Sequence, residues 1–347
     1  MQKKGNKYGT HRVISPKGVL PQPADKLDNN MDEIYDNEIL VNVQTLNIDS
    51  ASFTDISKRA NGDKKKIAEI MKEIVDKQGK HRNPWTGSGG MLLGTVEQIG
   101  DAIKDSIDLK VGDKIATLVS LSLTPLRIDK IKDIRPEIDQ VDIDGKAILF
   151  ESGIYAKIPT DMPENLALSA LDVAGAPAQT AKLVKPGDTV VIIGAGGKSG
   201  MLCCYEAKKR AGVTGKVIGI CHSPRSTKRM EDLGFCDCVF SADATKPVEV
   251  MEKIEKLTNG HMADITINNV NINDTEMTSV LCTKNTGIVY FFSMATSFTK
   301  AALGAEGVGS DVTMIIGNGY TAGHAEITLQ ELRENEALRK IFTELYA

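Results

Sequence analysis

The stretch Asp188-Thr-Val-Val-Ile-Ile-Gly-Ala-Gly-Gly-Lys-Ser-Gly200 limits what this chain can fold into more than any other. A β-branched apolar run, Thr189–Ile193, enters a loop built on Gly194, Gly196, Gly197 and Gly200, and a helical pattern follows over residues 201–211. Lys185-Pro186-Gly187-Asp188 supplies the turn before the strand. A second apolar run, Lys216–Cys221, follows the helix. Strand, helix and strand at this spacing predict a β-α-β unit, whose parallel strands need a right-handed crossover. Further strand candidates at Cys238–Ser241, Ala263–Asn268 and residues 287–293 alternate with helical patterns. The expected class is α/β, with a doubly wound, Rossmann-type parallel sheet.

A glycine turn opening a helix lets backbone approach a phosphate closely and aims N–H donors at it, and the helix dipole favours the negative charge. The spacing here is G-x-x-G-x-x-G through Gly194, Gly197 and Gly200, one residue longer than G-x-G-x-x-G. Lys198 and Ser199, within the glycine-rich loop, are further candidates for cofactor contact. An NAD-specific site usually carries Asp or Glu at the end of the second strand, for the ribose hydroxyls. This chain reads Cys221-His222-Ser223-Pro224-Arg225 there, and its first acid is Glu231. Ser223 and Arg225 suit a 2′-phosphate, so NADP is expected ahead of NAD. Asn268, Asn269 and Ser293 end strands at the carboxyl edge where such sheets bind ligands, and are candidate cofactor contacts.

The front of the chain has a different character. Residues 38–46 alternate as a strand, with Ile39, Val41 and Val43 on one side, and residues 91–99 and 114–119 are further short strands. This predicts an all-β barrel or sandwich. Between residues 56 and 80, Ile67, Ile70, Met71, Ile74 and Val75 mark a lysine-rich amphipathic surface helix. Residues 329–346 read as one helix with Leu329, Leu332, Leu338 and Ile341 as its buried stripe.

Composition excludes several classes. Lys and Arg (42) against Asp and Glu (46) leave a net charge of -4, without the basic excess of a nucleic-acid binder. No apolar run reaches the ~18 residues of a membrane span, and no apolar segment follows the charged start, so a cytoplasmic protein is expected. Six cysteines form no C-x-x-C pair, which points to buried thiols rather than zinc or disulfides.

With these segments placed, the chain resembles the medium-chain dehydrogenase/reductase superfamily. The likeness is carried by residues 38–52, 90–119 and 162–200. It implies a GroES-like β-barrel catalytic domain over residues 1–165 and 300–347, and a Rossmann domain over residues 166–299. Zinc members of that superfamily use Cys, His and Cys as catalytic ligands. The matching positions here are Asp49, Gly90 and a place near Ser169. Gly cannot ligate and Ser is a poor zinc ligand, so no metal is expected.

The chain is more closely similar to the L-erythro-3,5-diaminohexanoate dehydrogenase family of bacterial lysine fermentation. Residues 8–14, 16–21 and 47–53 and the glycine loop carry this likeness. It implies oxidative deamination of the diamino acid to 5-amino-3-oxohexanoate, ammonia and NAD(P)H. Such a reaction needs a base for the C3 ammonium, cations for the carboxylate, and a carboxylate for the C5 ammonium. Asp49, Ser50 and Asp172 are the catalytic candidates, and His81 and Arg82 the substrate-binding ones. His11, Arg12 and His324 are left without a role. Relatives commonly pair through the edge of the Rossmann sheet, which implies a homodimer, with residues 287–293 as the pairing strand. Two other readings stay open: a zinc-independent quinone or enoyl reductase, and a non-catalytic NADPH-binding protein.

Overall fold

The structure is a computed structural model and describes residues 2–317 and 319–347. It divides into two compact units, residues 1–168 with 346–347, and residues 169–345.

The first unit holds strands β1 (Val13–Ser15), β2 (Lys26–Leu27) and β3 (Glu38–Ile48), then helices α1 (Ser50–Arg59) and α2 (Lys64–Gln78). Strands β4 (Gly90–Ile99), β5 (Lys114–Thr117), β6 (Leu126–Arg135), β7 (Gln140–Phe150) and β8 (Tyr155–Lys157) follow. Six of these form one sheet in the order β6-β7-β3-β4-β5-β8, antiparallel throughout. Ile39, Val41 and Val43 of β3 join the main core, while Leu40 packs on the opposite side with Met31, Ile34, Ile148 and Phe150. Apolar cover on both faces makes β3 a central strand. The amphipathic segment is two helices rather than one. Asp63 caps α2 by accepting from the N–H groups of Lys65 and Lys66, and Gly79 ends it in the left-handed conformation at φ 70°. Ile67, Met71, Ile74 and Val75 bury one face of α2 against the sheet.

The N-terminal arm is locked to this unit by Arg12, which is 1% exposed. Its guanidinium donates to both oxygens of Glu38, at 2.9 and 2.8 Å, and His11 contacts the same carboxylate at 2.7 Å. Those two residues are structural.

Helix α3 (Glu164–Leu171) carries the chain onward. The second unit contains α4 (Gly175–Leu183), β9 (Thr189–Ile193), α5 (Lys198–Ala211), β10 (Lys216–Cys221), α6 (Pro224–Leu233) and β11 (Cys238–Ser241). It continues through α7 (Pro247–Leu257), β12 (Ala263–Asn268), α8 (Glu276–Leu281), β13 (Thr283–Phe291), α9 (Phe298–Gly307) and β14 (Thr313–Ile316). Helices α10 (His324–Glu334) and α11 (Glu336–Tyr346) close it. All six strands are parallel, in the order β11-β10-β9-β12-β13-β14. Val190 to Ile193 of β9 are fully buried, as expected of a strand covered on both faces.

Three expectations are corrected here. Residues 300–345 belong to the second unit, because β14 extends the parallel sheet and α10 packs on α4 and α5. Residues 287–293 are not an edge: β13 is flanked by β12 and β14, and β14 is the edge strand. The terminal helix breaks at Asn335, which adopts φ -128° and ψ 107°, so the buried stripe shifts from Ile341 to Phe342.

Candidate active site

The chain builds one polar cluster in each unit, and the glycine loop organises the cluster in the second. Each of its glycines answers a different steric demand. Gly194 adopts φ 85°, and a Cβ there would stand 2.7 Å from Val270 Cγ1. A Cβ on Gly196 would lie 2.6 Å from Ser226 Cβ, so this glycine lets α6 pack close. A Cβ on Gly200 would lie 2.0 Å from the Gly194 carbonyl oxygen, so this one lets α5 sit down on the loop. Gly197 differs: a Cβ would meet only the Gly194 oxygen, at 3.4 Å. That side of the loop is open, and no side chain caps α5. An open glycine at an uncapped helix N-terminus has the form of a phosphate cradle.

The strand order reverses between β9 and β12, one running on to β10 and the other to β13. Ligands of open α/β sheets bind beyond the carboxyl ends at such a switch point. Asn268 and Asn269 both lie there, with different uses. The Asn268 amide donates to Thr275 and Ser279 at 2.9 Å each, and its oxygen accepts from the Val270 N–H at 3.1 Å. Its donors are consumed internally, which withdraws it from cofactor contact and makes it a brace for the loop after β12. Asn269 keeps a buried Nδ2 with no hydrogen-bond partner among the described residues. Ser293 accepts from the Ala295 N–H at 3.1 Å and is half-buried.

At the end of β10, Ser223 caps α6. It accepts from the Ser226 N–H at 3.2 Å, and Ser226 Oγ accepts from the Ser223 N–H in return. Arg225 is exposed and makes no hydrogen bond or ion pair among the described residues. Arg229 donates to the Gly196 carbonyl at 2.9 Å and ties α6 to the glycine loop. Sequence reading passed over Arg229 and Ser226 because one contacts the backbone carbonyl of Gly196 and the other the helix cap at Ser223. Nearby, Lys198 Nζ donates to Asp172 Oδ2 at 3.0 Å, joining a glycine-loop residue to the turn between α3 and α4. A cavity of about 370 Å³ opens at the ends of β13 and β14, lined by Gly175, Gln179, Tyr290, Gly317 and Thr321 among others.

In the first unit, Asp49 stands at the start of α1 but does not cap it. Its Oδ2 accepts from the Gly89 N–H at 2.9 Å, fastening the end of β3 to the strand that follows α2. Ser50 is exposed and donates to Asp139 Oδ2 at 2.5 Å. Gly90 adopts φ 119°, and a Cβ would lie 2.1 Å from the Asn47 carbonyl oxygen, so no side chain fits at that position. Ser169 is buried.

His81 and Arg82 part company. His81 is wholly buried, and neither ring nitrogen has a hydrogen-bond partner among the described residues. Burial pushes its pKa down to about 4, so the ring is neutral near pH 7. It cannot touch a substrate, which corrects the expectation. Arg82 is half-buried, and its guanidinium makes no hydrogen bond or ion pair among the described residues. Beside it, Lys80 is buried and donates to the carbonyls of Pro21 and Gln22 at 2.6 and 2.9 Å. Burial, and then the charge of Arg82, push the Lys80 pKa down to about 8.

Comparison with known proteins decides the family. Residues 11–159 match the model of the L-erythro-3,5-diaminohexanoate dehydrogenase N-terminal domain. A curated L-erythro-3,5-diaminohexanoate dehydrogenase of Acetoanaerobium sticklandii is 66% identical over 343 residues, covering 99% of each chain. The chain belongs to the L-erythro-3,5-diaminohexanoate dehydrogenase family. A second curated member of that family, from Fusobacterium nucleatum, is 62% identical over 344 residues, again 99% of each chain. Among solved structures, the CurK enoyl reductase superposes with a TM-score of 0.54 at 15% identity, over 96% of this chain and 86% of that one. This likeness concerns the fold: a diaminohexanoate dehydrogenase of this family has the two-sheet architecture of such reductases.

Proposed function

We propose that this chain oxidatively deaminates L-erythro-3,5-diaminohexanoate to 5-amino-3-oxohexanoate and ammonia, using NADP in preference to NAD. The observation that carries the reading is the 66% identity over essentially the whole chain to a curated enzyme of that name. The enoyl reductase likeness, at 15% identity, supports the fold alone.

The glycine loop and the N-terminus of α5 would hold the dinucleotide phosphates, with Ser199 beside them and Asn269 Nδ2 offering a spare donor at the switch point. Ser223 and Arg225 would receive a 2′-phosphate. When bound, the nicotinamide supplies the acceptor for the hydride from C3. The residues of this chain handle charge and protons. Asp49 is the carboxylate that takes a proton from the C3 ammonium, because an ammonium cannot release hydride. Ser50, held by Asp139, orients water toward the C3 carbon. Arg82 pairs with the substrate carboxylate. An iminium is electrophilic without a Lewis acid, and the slots at Asp49, Gly90 and Ser169 offer no ligand set for one.

The same proposal includes a cytoplasmic homodimer. The open side of β14 is its pairing edge, since β14 has only β13 as a neighbour among the described residues. The described residues contain no helix long and apolar enough to cross a membrane.

The test is to mix purified protein with erythro-3,5-diaminohexanoate and, separately, NAD or NADP, and to follow reduced-cofactor absorbance. Rapid reduction is expected, faster with NADP. Silence with both, while nucleotide still binds and an enone is reduced by NADPH, would replace this reading with the enoyl reductase one.

A further inference from the structure

We propose that Ser52 and Ser88 are positioning residues for Asp49: their hydroxyl contact fixes the loop of residues 83–89 so that the Gly89 N–H aims the Asp49 carboxylate. The catalytic half of this inference rests on the function proposed above.

Two residues at the start of α1 grip two consecutive residues of that loop. Asp49 Oδ2 accepts from the Gly89 N–H at 2.9 Å, and the Asp49 N–H donates to the Gly89 carbonyl at 3.4 Å. Three residues on, Ser52 Oγ lies 2.6 Å from Ser88 Oγ. The Phe53 N–H donates to the Asp49 carbonyl at 2.9 Å, so Asp49 and Ser52 share one helical turn and move together. Gly89 fits its place only because it lacks a side chain. A Cβ there would stand 2.6 Å from the Ser122 backbone nitrogen and 2.8 Å from the His81 carbonyl oxygen. A further interaction holds Asp49 as well. The loop is therefore asked to aim one oxygen, not to carry the residue.

The loop needs a fastening, because residues 84–87 are exposed. Ser52, Thr86 and Ser88 form a ring of hydroxyls, with Ser52 2.8 Å from Thr86 and 2.6 Å from Ser88, and Thr86 3.1 Å from Ser88. Each can donate to one neighbour and accept from the other. Ser52 is wholly buried, so the ring is where the exposed loop meets the interior. Asn83 braces it. Its Oδ1 accepts from the N–H groups of Trp85 and Thr86 at 2.8 and 3.3 Å, and its Nδ2 donates to the Ser52 carbonyl at 3.3 Å. The Asn83 N–H closes the turn on the Ser88 carbonyl at 2.9 Å. Removing one hydroxyl opens the ring: Ser88 loses its side-chain tether to α1, and the N–H that follows it is held less firmly on the carboxylate. A base aimed less firmly spends less time within reach of the proton it must take.

Hydrogen exchange at the Gly89 amide, followed by NMR, reads the clasp without any turnover. Ser52→Ala and Ser88→Ala should each speed that exchange on the order of tenfold, the worth of one hydrogen bond. Each should also lower kcat for diaminohexanoate on the order of tenfold while KM stays within about twofold. The double variant should be no worse than the more impaired single one, since both open the same ring. Ser88→Thr, which keeps the hydroxyl, should retain wild-type values. Should the buried Ser52→Ala fail to fold, the half-buried Ser88 carries the test by itself. Unchanged Gly89 exchange in Ser88→Ala overturns the clasp, and faster exchange with wild-type kcat overturns the positioning role. If wild type does not oxidise diaminohexanoate while the alanine variants still speed Gly89 exchange, the enzyme reading fails and the clasp on Asp49 stands.

Discussion

A Cβ placed on Gly200 would stand 2.0 Å from the carbonyl oxygen of Gly194, while one on Gly197 would meet that same oxygen at 3.4 Å. One glycine is therefore demanded by the protein's own packing and the other is left open toward a ligand. The first clash is with backbone, which has no rotamer to escape into. Gly200→Ala should cost about 1–3 kcal/mol, as overpacking does, and should abolish nucleotide binding. Gly197→Ala should leave the melting temperature nearly unchanged while weakening nucleotide affinity. Thermal denaturation and nucleotide titration of both variants check this, and equal melting temperatures would refute the distinction.

Asp49 holds Gly89 through one oxygen, and an amide oxygen can hold it equally well. Asp49→Asn is expected to fold normally yet lose about 10²- to 10⁴-fold in kcat, the usual worth of a positioned base. Retention of wild-type kcat would reduce Asp49 to a turn residue.

Burial lowers the pKa of His81 from 6.5 to about 4. Below pH 6.5 the unfolded chain takes up a proton that the folded chain refuses, so the stability tied to this ring is complete above 6.5. It is lost as pH falls toward 4, to a limit of about 3 kcal/mol. Denaturant melts across that window should show the loss in wild type and a flatter profile in His81→Leu. Leucine also leaves no ring nitrogens to bury, so its stability at pH 7 should be at least that of wild type.

Arg225 is exposed beside the capped end of β10, with no acid before Glu231. If it grips a 2′-phosphate, Arg225→Ala should lower kcat/KM for NADP about tenfold to a hundredfold, the worth of a charge-assisted hydrogen bond, and leave NAD within about twofold. Equal losses with both cofactors would remove Arg225 from the 2′-phosphate role.

Legibility followed local chemistry. The strand Thr189–Ile193, its glycine loop and Lys216–Cys221 were readable because apolar run, glycine spacing and helical pattern all agree there. The hairpin of β6 and β7 was not. Its register shifts between Ile128 and Lys130, and again between Ile131 and Asp133, break the two-residue period that would mark a strand among so many charges. At the site, residue type was visible but burial was not: nothing in the letters separates His81, wholly enclosed, from its half-buried neighbour Arg82. Nor do they separate Asn268, whose amide is spent on Thr275 and Ser279, from Asn269, whose amide is unspent.

The late position of β14 and α10 has a bearing on how the protein is made. The nucleotide loop after β9 leaves the ribosome well before the strand that completes its sheet and the helix that covers α4 and α5. Until α10 arrives, the faces that later receive Leu329 and Leu332 are bare, and a growing chain carries an unfinished sheet. A message cut short before the codon for His324 would yield a sticky polypeptide rather than a weak enzyme.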